Sequence, residues 1–279
     1  MTTTATAGTA GTATIDQRLT GAVHQCDNLD LLRLLPARCI DLIYIDPPFN
    51  TGREQRGKDR GESGTPGQRL GAAPDPASDS APPRYADAWP TIADYLDFMR
   101  PRLVEMHRVL RSTGSILLHC DWRACHHLRV LLDEVFGAER FVNHLIWSYG
   151  LGGSSPRRFA RKHDDILFYA NGPEYYFEAP RIAATSARLK GLTKKATDVL
   201  DIPSINNMAA ERTGYPTQKP LALLEALIEA CCPPGGIVAD FFCGSGTALV
   251  AAARLQRKWI GCDGSEDAVK IATARLRQG

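Results

Sequence analysis

From Val23 to Asp46 the alternation of apolar and polar positions reads as strand, helix, strand. Val23–Gln25 is a short extended run closing at Asp27, and Leu29–Leu35 is a compact apolar helix stopped by Pro36. Ile40–Ile45 is a nearly continuous apolar run. Such a run, bounded by turn signals, suits a strand buried on both faces of a parallel sheet. Tyr95–Leu110 then carries apolar residues at Leu96, Met99, Leu103, Met106 and Leu110, a helical stripe with Pro101 as a candidate bend. Ser115–Cys120 predicts a strand, and a helix runs from about Arg123 to Phe136, closed by Gly137. Phe141–Trp147 is extended and Asp165–Tyr169 is another strand. The end of the chain alternates again: helix Leu221–Cys231, strand Gly236–Phe242, helix Thr247–Leu255, strand Trp259–Asp263 and helix Ser265–Leu276. Alternating strands and helices at both ends predict an α/β fold on a parallel sheet.

Two stretches break this rhythm. Residues 52–83 hold 11 Gly or Pro and 10 charged residues, with Leu70 as the sole large aliphatic. Nothing there offsets the entropy of ordering the backbone, so a mobile loop is expected, with a substrate lid and a plain insertion both open. Residues 171–212 are polar, basic in places and weakly periodic, and 148–212 as a whole reads as an inserted recognition region between the halves 21–147 and 213–279. Residues 1–20 read as a disordered tail, Thr/Ala/Gly-rich over its first 14 positions and without the basic start of a secretory signal.

Composition narrows the class. Of 279 residues, 44% are hydrophobic and 23% charged, as in soluble globular proteins. No apolar stretch approaches the roughly 18 residues that span a bilayer. Eight scattered cysteines without a C-x-x-C pair point to a reducing cytoplasm. The net charge of +2 announces no nucleic-acid partner by itself, so any such reading rests on where the charge sits.

Two motifs carry chemistry. Val238–Phe242 is an apolar strand that runs into Cys243-Gly244-Ser245-Gly246 and then a helix, so glycines let the backbone approach a ligand and Asp240 sits at the strand's carboxyl edge. A third glycine is missing, since position 249 is Leu249, and no Lys-Ser/Thr follows. Dinucleotide and Walker-type phosphate cradles are therefore disfavoured. Asp263, about 20 residues past the loop, stands where a carboxylate accepts ribose hydroxyls, which points to an adenosine conjugate such as S-adenosylmethionine. A plain cap on the next helix is its alternative role.

The second motif, Asp46-Pro47-Pro48-Phe49, ends the buried strand. An exocyclic amine on adenine or cytosine is a poor nucleophile because its lone pair is delocalised into the ring. Two acceptors taking its N–H protons, the Asp46 carboxylate and the Pro47 carbonyl, would free that lone pair. The paired prolines stiffen the turn and add no competing donor. Phe49 offers a stacking face to a base that has left the duplex.

Together, Asp46–Phe49 and Asp240–Gly246 resemble the DNA amino-methyltransferases that move methyl from S-adenosylmethionine to adenine N6 or cytosine N4. The tetrad precedes the cofactor loop, an order similar to the beta class. The resemblance implies a circularly permuted Rossmann-like sheet with an inserted target-recognition region. It implies catalytic roles for Asp46, Pro47, Pro48 and Phe49, and cofactor contacts from Asp240, Phe241, Cys243, Gly244, Ser245, Gly246 and Asp263. Thr213–Pro220 is similar to the motif in which the Thr217 and Lys219 positions hold the methionine carboxylate, and Asp27 matches the acid facing the cofactor's adenine. Phe49 replaces a more frequent Tyr, which leaves adenine, the favoured target, and cytosine both open. RNA or protein methylation and a non-catalytic DNA-binding module are the rival readings.

Arg157, Arg158, Arg161 and Lys162, with His163 and an interleaved Phe159, form the densest basic cluster and are the candidate contacts to double-stranded DNA. A homodimer and a cognate restriction endonuclease are further candidate partners. His119-Cys120 and Cys125-His126-His127 hold zinc-type ligands, but a strand and a diverging helix predict packing rather than a metal site.

Overall fold

The computed structural model describes residues 15–49, 53–56, 84–150, 154–184, 191–206 and 209–278. Along the chain run β1 (Val23–Gln25), α1 (Asn28–Leu34), β2 (Ile40–Ile45), β3 (Arg53–Arg56), β4 (Arg84–Asp87), α2 (Ile92–Val109), β5 (Leu110–Cys120), α3 (Cys125–Phe136), β6 (Phe141–Ser148) and β7 (His163–Ala170). Then come β8 (Arg181–Ala183), β9 (Thr193–Lys195), β10 (Val199–Asp201), α4 (Leu221–Cys231), β11 (Ile237–Asp240), α5 (Thr247–Arg254), β12 (Lys258–Asp263) and α6 (Glu266–Gln278).

Eight strands form one sheet in the order β1-β12-β11-β2-β5-β7-β6-β10. Every neighbouring pair is parallel except those made by β7, which runs against both β5 and β6. The period of two along β2 divides the core. Ile43 and Ile45 pack on one side with α1, α2 and α3, while Leu42 and Tyr44 pack on the other with α4 and α5. All six residues of β2 are buried, as its unbroken apolar run requires.

From β2 the chain crosses to β5, and from β11 it crosses to β12 on the opposite side. β11 and β2 are nevertheless neighbours, with Val238 opposite Leu42 and Ala239 opposite Ile43. The sheet therefore changes winding direction between them, and open α/β sheets bind ligands at the carboxyl ends of such a pair. At the amino end, the Asp41 carboxylate ties the two strands by accepting the Ile237 amide at 2.8 Å, and it also takes a hydrogen bond from Arg111 at 2.9 Å.

Several elements differ from the sequence pattern. α2 starts at Ile92 because Thr91 and Asp94 form a reciprocal capping box, and it continues through Pro101. β5 begins at Leu110, straight from the helix. Ile15 and Leu19, placed in the expected tail, pack on the core, while 1–14 lie outside the described residues. Within the expected loop 52–83, Arg53–Arg56 pairs antiparallel with Arg84–Asp87; the remainder lies outside the described residues. In the 148–212 region β10 joins the main sheet beside β6, and β8 and β9 form a separate ribbon.

Candidate active site

β2 leaves the sheet at Ile45, and the tetrad follows without regular structure. Lys219 Nζ lies 2.5 Å from Asp46 Oδ2, with the two side chains 8% and 17% exposed. The other carboxylate oxygen, Asp46 Oδ1, is buried and accepts no hydrogen bond among the described residues. A buried carboxylate oxygen with open lone pairs is a place where a ligand N–H can be accepted. Pro47 is buried beside it, and Pro48 faces the adjoining cleft. Phe49 is half-buried; its ring stacks on His119 with centroids 6.1 Å apart and planes 17° apart, and Lys219 Nζ stands 5.2 Å from its centre.

Behind Phe49 runs a buried polar chain. His119, on β5, is fully buried, with Nδ1 2.9 Å from the Tyr44 hydroxyl and Nε2 3.2 Å from Asp164 Oδ2. A carboxylate only accepts, so Nε2–H donates to Asp164 and Nδ1 accepts from Tyr44. Burial alone would raise Asp164, but the hydrogen bond it accepts from His119, aided by Lys219, holds the carboxyl below its ordinary value. The ring behind the stacking face is thus locked at both nitrogens.

Across the switch point, β11 ends at Asp240. Its Oδ1 accepts the Phe242 amide at 3.1 Å and tightens the turn. The structure then separates two adjacent aromatics: Phe241, expected at the cofactor, is fully buried in the core, whereas Phe242 lines the cleft, braced by Phe98. The Phe241 carbonyl accepts from Asn28 at 2.9 Å. Gly244 and Gly246 have positive φ of 49° and 74°. A Cβ on Gly246 would stand 2.7 Å from that of Ala272, so this glycine serves the packing of α6 as well as the turn. Asp263 holds the loop from β12: Oδ2 accepts the Gly244 amide and Oδ1 the Ser265 amide, each at 2.9 Å. Asp263 thus braces the loop and the turn into α6, whose first turn is capped by the Ser265 hydroxyl, and the remaining lone pairs of that carboxylate stay available to hydroxyls. Burial raises the Asp263 carboxyl above its ordinary value against those two amides. Asp240, fully buried and near Asp46 and Asp263, is raised well above 3.8. The Cys243 thiol is buried and likewise pushed up, first by burial and then by Asp240 and Asp263.

The segment ahead of α4 closes the site. Gln218 Oε1 accepts from both the amide and the hydroxyl of Thr213 at 2.8 Å, and its Nε2 donates to the Glu211 carbonyl at 2.6 Å. This self-tied turn places Thr217 at φ 59°. One cleft is lined by Asp46 and Pro48 from the tetrad, Thr217 and Lys219 from this turn, Cys243 to Ser245 from the glycine loop, and Asp240 and Asp263. Three carboxylates around one lysine favour a ligand carrying cationic groups.

Other expected site residues lie elsewhere. Asp27 caps α1 by accepting the Leu29 amide at 2.8 Å and pairs with Arg102 at 2.8 Å, without lining the cleft. Arg102 also donates to Asn28 at 2.7 Å, so the Asp27 corner connects to the cofactor loop through the Asn28–Phe241 bond. Gly246 contributes backbone shape rather than cleft surface. Arg157, Arg158 and Arg161 are exposed with Phe159, itself 98% exposed, and Arg161 stacks on Trp122 at 3.5 Å. Trp122 follows the carboxyl end of β5, which places the basic segment on the edge that carries the tetrad. Tyr44, Asp164, Tyr215, Gln218 and Phe242 were not singled out from the sequence, and His119 was considered there only as a metal-type ligand. Tyr215 and Gln218 lie inside a motif already recognised, whereas His119 and Asp164, 45 residues apart, leave no local signal.

The sheet order and the reversed β7, with a glycine loop at the switch point, define a Rossmann-like fold of the kind seen in solved DNA methyltransferases. The family model for N6/N4 DNA methylases matches residues 40–274, most of the chain, and the chain belongs to that family. Its tetrad-first order is that of the beta class. Among similar proteins, the Type II methyltransferase M.EcaI of Enterobacter cloacae is 28% identical over 85% of this chain and 65% of its own length. The DNA adenine methyltransferase YhdJ of Escherichia coli K12 is 25% identical over 90% of this chain and 80% of its own. The solved PvuII DNA methyltransferase, cytosine-N4-specific, superposes with a TM-score of 0.64 at 20% identity, covering 92% of this chain and 86% of that one. Among the described residues, no helix is long and apolar enough to cross a membrane.

Proposed function

We propose that the chain moves a methyl group from S-adenosylmethionine to the exocyclic amine of a base extruded from double-stranded DNA, with adenine N6 the favoured acceptor. The observation that carries this reading is Asp46 Oδ1, a buried acceptor without a donor among the described residues, beside the cleft that the glycine loop shares. When bound, S-adenosylmethionine supplies an electrophilic methyl on a cationic sulfur. The Thr217 turn and the glycine loop hold it, Asp263 takes the ribose hydroxyls, and the acidic lining balances its positive charge. Lys219 uses one ammonium donor on Asp46 and keeps two for the methionine carboxylate.

On the acceptor side, the base stacks on the face of Phe49 opposite His119. The Asp46 carboxylate and the Pro47 carbonyl accept hydrogen bonds from the two amine N–H groups, which directs the nitrogen lone pair at the methyl. Catalysis then comes from positioning and from acceptors aimed at the positive charge developing on nitrogen, which loses a proton during or after transfer. The raised Cys243 thiol fits a direct displacement without a covalent enzyme intermediate. Arg157, Arg158, Arg161 and Lys162 contact phosphates, so reversing charge at Arg157 and Arg158 weakens DNA binding and lowers its salt slope by about 2.

The name of YhdJ supports adenine; that of the PvuII enzyme supports cytosine N4 as the second reading, since both bases present an amine beside a ring nitrogen. Sequencing modified bases in DNA from an expressing host decides between them, and a labelled-methyl assay on DNA, RNA and protein tests the substrate class. DNA left unmodified under conditions of proven cofactor binding would end this reading. The eight free cysteines support a reducing cytoplasm. A cognate endonuclease accords with the Type II name of M.EcaI. The solution mass with and without DNA tests the homodimer.

A further inference from the structure

On the α3 side of the sheet, away from the cleft, Cys125 Sγ, His144 Nε2 and Asp165 Oδ1 converge with all three atoms within 4.8 Å of one another. Cys125 opens α3, His144 lies in β6 and Asp165 in β7. Nε2 stands 2.7 Å from Asp165 Oδ1 and 3.8 Å from Cys125 Sγ. A fourth donor, Cys120, adjoins Cys125 but lies outside the group of atoms within 4.8 Å of one another, so it must swing inward to reach a shared ion. Cys120, the last residue of β5, is opposite Asp165 in the sheet register, and its thiol interacts directly with that of Cys125. Neither cysteine is in a disulfide, and His126 and His127, adjacent in sequence, are exposed and outside the cluster.

From this geometry we propose that Cys120, Cys125, His144 and Asp165 bind one zinc ion. Two sulfurs, an imidazole and a carboxylate form a borderline-soft set that suits tetrahedral Zn²⁺ and disfavours Mg²⁺ and Ca²⁺. Bond lengths of about 2.0–2.1 Å to nitrogen or oxygen and about 2.3 Å to sulfur require separations of about 3.4 Å for N···O and about 3.6 Å for N···S in a tetrahedron. The N···S distance already matches, and the N···O pair must open by several tenths of an ångström. His144, whose side chain is 40% exposed, has room to make that shift and leaves an entry path for the ion. Binding exchanges the His–Asp hydrogen bond and two thiol protons for four metal bonds, so protons are released. Four protein ligands close the coordination sphere, which makes the site structural. It would pin β5, α3, β6 and β7 together, and β6 and β7 are the strands between which the basic segment is suspended.

The test uses the reduced full-length protein, loaded with Zn²⁺ or Co²⁺ and freed of excess. One zinc per chain is expected by elemental analysis, with micromolar or tighter affinity in a chelator competition. Co²⁺ should give a thiolate-to-metal charge-transfer band and tetrahedral d–d bands. Cys125→Ser and His144→Ala should each weaken binding at least about tenfold, while His126→Ala leaves it unchanged. A folded parent that takes up no zinc at micromolar concentration, or a cobalt spectrum lacking a thiolate band, would overturn the site. Equal affinity in a folded Cys125→Ser variant would do the same.

Discussion

The two sides of the cleft are built on opposite plans. On the β11 side the loop is closed on itself: Asp240 takes the Phe242 amide, Asp263 takes the Gly244 and Ser265 amides, and Asn28 takes up the Phe241 carbonyl. On the β2 side Asp46 has one oxygen on Lys219 and the other on no donor among the described residues. The first arrangement fixes a shape that a cofactor can enter. The second holds unmet hydrogen-bonding capacity at the point where an amine must be oriented. A self-satisfied loop binds; a deliberately unsatisfied carboxylate awaits the reacting group.

This contrast yields graded expectations. Asp46→Ala strikes the open acceptor and should lower the rate of methyl transfer by about 10³-fold, with cofactor affinity nearly unchanged in calorimetry. Full activity of that variant on duplex DNA would remove Asp46 from the chemistry. Lys219→Met leaves Asp46 buried beside Asp240 with no counter-charge and should destabilise the chain by about 3 kcal/mol in urea unfolding. A stability equal to the parent would mean that the ion pair contributes nothing to the fold. On the other side, Gly246→Ala introduces a Cβ against Ala272 at a left-handed φ. It should cost about 2 kcal/mol and weaken cofactor binding before any effect on DNA affinity.

The smallest effect concerns pH. Asp240 is raised well above 3.8 by burial and then by Asp46 and Asp263, so the folded chain holds that proton more tightly than the unfolded one. Without cofactor, stability from this group is therefore greatest below 3.8 and declines as pH rises through the elevated value. A cationic ligand prefers the ionised form, so cofactor affinity should fall as pH drops through the same window. Asp240→Asn should flatten this dependence and weaken affinity at neutral pH about tenfold, as calorimetry across pH would show. A pH slope that persists in the variant would assign it to another group, with Asp263 next in line.

Most of the sheet was legible because its signals are local. The unbroken apolar run of β2 and the alternation after Leu221 require nothing beyond near neighbours. The start of α2 was missed because the capping box of Thr91 and Asp94 lies ahead of the apolar stripe. The Arg53–Arg56 pairing with Arg84–Asp87 was missed because strand pairing across a long insertion leaves no pattern in either partner. Phe241 and Phe242 look alike in sequence, and only the turn made by the Asp240 carboxylate separates the core ring from the cleft ring. The Lys219–Asp46 pair joins residues 173 positions apart, beyond any periodicity.

By itself, then, the chain's order of residues determined the α/β class, the two chemical motifs and their permuted sequence, since each resides in a continuous segment governed by local sterics and hydrophobic burial. The tertiary structure alone decided that β11 and β2 lie side by side at the winding reversal, so that Asp240 and Asp46 open on one cleft. It also assembled His119 with Asp164 and the Cys125–His144–Asp165 cluster from separate elements. The reason is that hydrogen bonds and charge pairs act over a few ångströms of space whatever the separation along the chain, and only the packed sheet sets those distances.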